Sequence, residues 1–286
     1  MHYRRITIIS AAGIIILAAL NKSWAAYSAA TIFLIWFTLS WYGVFNIRSQ
    51  FIGKTYWRGN RNEKKIALTF DDGPYEPYTS QILDILKKYN VRATFFLVGK
   101  NIERFPEAVK RIHKDGHEIG NHTYIHRRFF YTLFPAIRED INRCQELIKN
   151  ITGINTSLFR QPLGFRNPSI VKMVEDLNMH MIGWTFRTYD GTDQNPERII
   201  KRALNNAVNG AIIVMHDGCD KEGGKKDGTV AALPVILEKL INDGYKFAAV
   251  SELLGINPVI SDSKLRKDCI NNSSKCHSER SEESRL

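Results

Sequence analysis

The chain reads as an α/β protein: a distorted (β/α) barrel of about seven strands, preceded by an N-terminal transmembrane helical hairpin. Three observations predict this. From Lys65 to about residue 256, short apolar runs alternate with stretches whose apolar residues recur at helical spacing. Repeated strand-then-helix units imply a parallel sheet with right-handed crossovers, and about seven of them suit a closed or nearly closed barrel better than an open sheet. Side chains capable of chemistry (Asp71, His122, Arg160, Asp190, His216) fall at or just after the ends of the apolar runs, and two long apolar stretches precede residue 48.

Ile6–Leu20 is apolar after Arg4 and Arg5; Asn21-Lys22-Ser23 interrupts it; Trp24–Phe45 then runs on without a charge. The second stretch reaches the ~20 residues that a bilayer core requires, and Trp24, Tyr27, Trp41 and Tyr42 suit its interfacial belts. The first is short. It reads as a tight second span, or as the apolar region of a signal peptide with Ser23-Trp24-Ala25 as cleavage site. The hairpin is preferred because Arg4 and Arg5, and also Arg48, Lys54, Arg58, Arg61, Lys64 and Lys65, then all face the cytoplasm. Residues 1–47 are therefore expected to be an anchor in the inner or plasma membrane and 48–64 a linker. The main domain, 65–256, is expected on the cytoplasmic side.

Within that domain Ile66–Phe70 is a continuous apolar run closed by a turn, and predicts the first strand. Ser80–Tyr89 follows as a helix, with Ile82, Leu83, Ile85 and Leu86 at helical spacing. The same reading gives strands at Ala93–Val98, His117–Gly120, Leu158–Arg160, His180–Phe186, Ala211–Met215 and Tyr245–Val250. It gives helices at Pro106–Lys114, Ala136–Ile151, Ile170–Leu177, Glu197–Val208 and Val230–Asn242. Residues 257–286 lack the apolar side chains for a core and are expected to be a disordered tail.

At 286 residues and 44% hydrophobic composition, the chain can bury one large core or two small ones. The net charge of +11 accompanies no basic stripe interleaved with aromatics, so nucleic acid is not an expected partner and no protein partner is indicated. The charge reads as membrane-surface or solvated-face charge. Cys144, Cys219, Cys269 and Cys276 have neither the spacing of a disulfide framework nor that of a zinc ribbon.

Asp71 and Asp72 stand side by side at the end of the first apolar run, and His122 and His126 lie four apart about fifty residues on. Taken singly, Asp-Asp-Gly-Pro is an ordinary turn and two histidines four apart are ordinary surface residues. Together they suggest a metal site with a spare carboxylate. Asp72, His122 and His126 supply three ligands to one divalent ion, and Asp71 remains to take a proton from water, which is the equipment of metal-assisted hydrolysis.

Five blocks in order then resemble the polysaccharide deacetylases, also called the nodulation protein B homology domain or carbohydrate esterase family four. They are Thr69-Phe70-Asp71-Asp72-Gly73, His122-Thr123-Tyr124-Ile125-His126, Arg160-Gln161-Pro162-Leu163-Gly164, Trp184 with Asp190, and Val214-Met215-His216. The resemblance covers roughly Lys65 to Leu254. It implies a catalytic base at Asp71 and one metal, zinc first with cobalt or another divalent ion compatible, on Asp72, His122 and His126. It implies Arg160 paired with Asp71, and a general acid at His216 oriented by Asp190. Pro162, Leu163, Trp184 and Val214 would bind substrate, the N–H of Leu163 facing the tetrahedral oxygen. The implied substrate is an N-acetylated carbohydrate or glycolipid. Two departures bear on it: Gly191 follows Asp190 where Trp is common, and Leu163 stands where Tyr is common. Arg166 and Arg187 lie near the same motifs and are candidates for an acidic group on the substrate.

Overall fold

The computed structural model describes residues 2–20, 22–126, 134–219 and 223–260. Parallel strands dominate: β1 (Lys65–Asp71), β2 (Thr94–Leu97), β3 (Glu118–Asn121), β4 (Leu158–Phe159), β5 (His180–Met181), β6 (Phe186–Arg187) and β7 (Ile212–His216) run in the order β5-β4-β3-β2-β1-β7-β6. A short β8 (Lys246–Phe247) pairs with the first residues of β1. The expected parallel α/β sheet is present, curled into a half-barrel rather than an evenly closed barrel. The predicted strand His180–Phe186 divides in two. Its first part pairs with β4 and its last with β7, so the two edges of the sheet are successive pieces of one segment. The predicted Tyr245–Val250 strand is cut short because Val250 begins a new helix.

Strand parity decides what enters the cup. In β1, Ile66, Leu68 and Phe70 pack outward with Phe95, Leu97, Ile213 and Met215 beneath the helices. Ala67 faces inward with Phe96, Leu158 and Ile212. Side chains alternate with period two, so Thr69 and Asp71 share the inner face with Ala67, and His216 shares that of Ile212.

The outer layer is α3 (Tyr78–Lys88), α4 (Gly99–Arg104), α5 (Pro106–Lys114), α6 (Phe134–Thr152), α7 (Pro168–Asp176), α8 (Pro196–Asn206), α9 (Asp227–Asn242) and α10 (Val250–Leu254), numbered after the two N-terminal helices. Asn167 and Asn195 cap α7 and α8 by accepting from Ile170 N–H and Arg198 N–H. The short α4 is absent from the sequence reading.

Ahead of the domain, α1 (His2–Ala19) and α2 (Ser23–Phe45) lie against each other, with Trp36 Nε1 donating to Thr7 Oγ1 at 3.0 Å. Of the two expected spans, one helix among the described residues, Trp24–Phe45, is long and apolar enough to cross a membrane. The segment expected as a linker, 48–64, is packed on the domain. Tyr56 pairs with Ile182 and Arg58 with Ala211. At the other end, Val259 pairs with Thr156, and the rest of the expected tail, 261–286, lies outside the described residues.

Gly120 sits where a Cβ would lie 2.5 Å from the Phe96 ring, and that ring carries the Arg160 guanidinium 4.0 Å above it. Gly120→Ala is expected to overpack the cup by about 1–3 kcal/mol and to disturb Arg160. A lower thermal midpoint together with reduced activity in the full-length chain is the expected result.

Candidate active site

The site collects at the C-terminal ends of the strands, the end that serves chemistry in α/β barrels. Asp71 closes β1 and pairs in register with His216 at the close of β7, so the two residues occupy one rung of the sheet. Behind Asp71 stands Arg160, wholly buried one residue past β4. Its Nη1 donates to Asp71 Oδ1 at 2.6 Å and to Thr69 Oγ1 at 2.7 Å, and its Nη2 to the Gly183 carbonyl at 3.1 Å. Burial draws the Arg160 pKa below its ordinary value, and the Asp71 carboxylate opposes the shift.

His216 is held in the same manner. Its Nδ1 lies 2.9 Å from Asp190 Oδ1, and its backbone N–H donates to Asp190 Oδ2 at 2.7 Å. Asp190 is fully buried and also accepts from the hydroxyls of Thr188 and Thr229, each at 2.8 Å. Burial alone would raise Asp190, but the charge and hydrogen bond of His216 hold it below its usual value. Burial alone would lower His216; the Asp190 carboxylate prevails and lifts it to about 9. A carboxylate on Nδ1 fixes the proton there and leaves Nε2 as the working nitrogen.

Beside this pair lie Asp72, His122 and His126, each with one ligand atom within 4.8 Å of the others'. Residues 122–126 are not helical, so the histidine pair does not arise from helical spacing. They form a turn after β3, in which Thr123 N–H donates to Asn121 Oδ1 and His126 N–H to Thr123 Oγ1. Asp72, Thr123 and His126 all have positive φ, at 71°, 68° and 48°, a costly conformation for residues with a Cβ.

The donor set fits a cation. His122 Nδ1 lies 2.7 Å from the Arg160 carbonyl oxygen. A carbonyl only accepts, so that nitrogen carries the proton and the neutral ring turns its lone pair outward on Nε2. This Nε2 faces Asp72 Oδ1 at 3.4 Å, and His126 Nε2 faces the same oxygen at 3.1 Å. Lone pair against carboxylate is repulsive unless positive charge lies between, either a bound cation or a proton on Nε2. Burial would raise the Asp72 pKa, yet hydrogen bonds from the two imidazoles, where a proton takes the cation's place on Nε2, hold it well below the carboxylate range.

The strand-end loops are tightly fitted. A Cβ on Gly73 would come within 2.1 Å of the buried Asp217 carboxylate, which Thr79 Oγ1 meets at 2.6 Å. Burial pushes Asp217 up to about 7.

The four expected substrate contacts sit as follows. Pro162 is buried; Leu163 is exposed, with φ 58°. Trp184 covers Gly164, where a Cβ would lie 2.2 Å from the indole. Val214 is buried in β7, its carbonyl accepting from Thr188. Arg187 lies 5.1 Å from the Trp184 ring and 5.3 Å from that of Tyr189. Arg166 does not face this groove: its guanidinium is buried against residues 43–55, which corrects the expectation that it meets substrate. Thr69, Thr188 and Thr229 were missed in sequence. Thr69 lies two residues before Asp71 on β1, a signal of shared strand face, whereas Thr188 sits in the turn past β6 and Thr229 comes from α9, neither with such a signal.

A His raised from 6.5 to about 9 adds stability that is fully present below about pH 6.5 and is lost as pH rises through about 9. Asp190→Asn is expected to remove this dependence and to move the His216 titration, followed by NMR, to lower pH. An unmoved titration would show that Asp190 is not what raises it.

Residues 58–182 match the polysaccharide deacetylase family. The chain is 38% identical over 204 residues to a peptidoglycan-N-acetylglucosamine deacetylase of Bacillus cereus, covering 71% of this chain and 93% of that protein. It is 30% identical over 197 residues to a chitooligosaccharide deacetylase of Azorhizobium caulinodans, covering 66% and 93%. Among solved structures, a peptidoglycan N-acetylglucosamine deacetylase superposes with TM-score 0.69 at 33% identity, over 72% of this chain and 95% of that one. A carbohydrate esterase family 4 pseudoenzyme from Bacillus anthracis superposes with TM-score 0.64 at 30% identity, over 70% and 68%. With this similarity spanning nearly the whole of two relatives and the curled sheet shared with solved members, the chain belongs to the polysaccharide deacetylase family, carbohydrate esterase family 4.

Proposed function

We propose that the chain is a membrane-anchored, metal-dependent hydrolase that removes the acetyl group from an N-acetylated sugar: a polysaccharide, a chitooligosaccharide or a glycan precursor. The observation that carries this reading is the pairing of Asp71 and His216 on one rung of the β1–β7 ladder, each backed by a buried partner of opposite charge. A non-catalytic carbohydrate-binding protein has no use for a base and an acid set side by side.

Asp72, His122 and His126 would hold one divalent ion, for which zinc is the first choice and cobalt or another divalent ion is compatible, and that ion supplies Lewis acidity toward water and the acetamide. Asp71, held in place by its ion pair with Arg160, accepts a proton from the attacking water. The new C–O bond forms at the acetyl carbon and the carbonyl electron pair moves onto its oxygen, toward which the Leu163 N–H donates. His216 Nε2 gives its proton to the nitrogen as the C–N bond breaks, leaving acetate and a free amine. Asp190 keeps His216 charged until that moment. Trp184 and Val214 wall the methyl group, and Pro162 shapes the turn that presents Leu163.

A second substrate, an N-acetyl or N-formyl sugar on a lipid carrier, is favoured by the apolar helix Trp24–Phe45. Leu163 and Gly191 leave less aromatic surface for a long polymer. The side of the membrane separates the two. The flanking positive charges favour a cytoplasmic domain, which suits a lipid-linked precursor; a domain outside suits an envelope polymer. A reporter fused after Lys65 reads the side directly, and recovery of the full-length chain in the soluble fraction would remove the anchor from the proposal.

Asp71→Asn is expected to keep metal and substrate binding and to lose about 10²–10⁴-fold in acetate release. His126→Ala is expected to lose metal and activity together. The assay is acetate release from N-acetylated oligosaccharides and extracted glycolipids with zinc or cobalt supplied. Wild-type turnover matched by Asp71→Asn would exclude Asp71 as the base. Sugar binding without acyl release from any substrate would favour the binding-protein reading.

A further inference from the structure

Arg166 is 1% exposed, and among the described residues it has no carboxylate partner. Its Nη1 donates to Thr55 Oγ1 at 2.5 Å, and its Nη2 to the carbonyls of Gly43 at 2.9 Å and Asn46 at 2.6 Å. Its backbone N–H donates to the Val44 carbonyl at 3.3 Å. These are the last carbonyls of α2 and the one just beyond. They are the orphan acceptors of a helix C-terminus and carry its partial negative charge. The apolar helix thus supplies the counter-charge for a buried cation on the catalytic domain. Burial lowers the Arg166 pKa to about 10, and an isolated buried charge is costly, so the arrangement needs the helix end in place.

The same contact reaches the site. Arg166 lies three residues after Leu163, in the loop between Arg160 and the N-cap of α7. Phe165 meets Phe45 edge-on, with ring centroids 5.2 Å apart. Leu163 and Gly164 both have positive φ, at 58° and 76°; for Leu this conformation costs energy and persists only where its surroundings enforce it. Trp184 packs on Gly164, and α2 with residues 46–55 holds Phe165 and Arg166 of the same loop. A Cβ on Gly53 would lie 2.2 Å from Val171, which shows how closely that turn sits on α7.

We infer that Arg166 is a positioning residue that makes the C-terminal end of α2 a working part of the active site, by fixing the loop that aims the Leu163 N–H. The anchor is then more than a tether. The inference rests on the proposed role of Leu163 in deacetylation.

The test uses the full-length chain in detergent, zinc-loaded, with fully N-acetylated chitooligosaccharides as the probe. Variants are Arg166→Met, Arg166→Lys, Phe45→Ala and the Arg166→Met/Phe45→Ala pair, each normalised to folded, zinc-bound protein. A donor that acts on the tetrahedral state alone affects kcat and leaves KM nearly unchanged. Complete loss of one such donor costs about 10²–10³-fold. Arg166→Met is therefore expected to lower kcat about tenfold or more with KM nearly unchanged. Arg166→Lys should recover part of the loss, and Phe45→Ala should lower kcat in the same direction. The pair should be no worse than Arg166→Met alone, since both changes release one contact. Wild-type kcat in Arg166→Met, or losses that simply multiply in the pair, would overturn the inference. If Arg166→Met does not fold, wild-type kcat in both Arg166→Lys and Phe45→Ala would overturn it. The Asp71→Asn control keeps the two ideas apart: if it remains active the proposed function fails, and if it alone is inactive only the role of Arg166 fails.

Discussion

A guanidinium with no exposure to water lies at the centre of the cup. Arg160 leaves β4, crosses over the face of Phe96 on β2, binds Thr69 and Asp71 on β1, and reaches the carbonyl of Gly183 between β5 and β6. One side chain thus refers three strands and the segment joining two others to a common point. Its own carbonyl orients the His122 ring, so it also sets the geometry of the candidate ligands. A buried ion pair adds little net stability once desolvation is counted, but losing one partner costs about 3–5 kcal/mol because a bare charge remains. That asymmetry makes the site stiff: Asp71 cannot turn away from Arg160 without leaving an uncompensated cation among apolar side chains.

Three carboxylates near the rung, one half-buried and two buried, have different fates, and their surroundings explain each. Asp72 and Asp190 both face imidazoles and are held in the charged form. Asp217 meets only a threonine hydroxyl on one oxygen, and burial lifts it toward neutrality. The same side chain at positions 72, 190 and 217 thus divides into two carboxylates held charged and one drawn toward its protonated form. His216, lifted by Asp190, completes the division by holding a proton through the neutral range.

Much of this was legible in the sequence because it is local. The run Ile66–Phe70 and the alternation that follows fix the strands by period, and the candidate acid–base and ligand residues stand at or just after their ends. What escaped is tertiary. The segment 180–186 looks like one strand; that it pairs leftward first and rightward afterwards depends on the curl of the whole sheet. Thr229 reaches Asp190 from a helix 39 positions on, and no spacing announces it. Residues 48–64 have a linker's composition, yet Tyr56 and Arg58 are taken up by bridges to Ile182 and Ala211. Arg166 looked available to substrate because its partners are backbone carbonyls, which every residue possesses and no sequence distinguishes.

The division of that closing segment has a consequence for solubility. A sheet edge is a template on which a stranger's backbone can pair. Here each edge strand is two residues long, and the outer side of one is already occupied by Tyr56, which donates to Met181 and accepts from Gly183. A foreign strand would find almost no run of unpaired peptide groups to lengthen. The curl that gathers the candidate catalytic residues at one end of the cup therefore also leaves the described sheet with little edge on which edge-to-edge aggregation can begin.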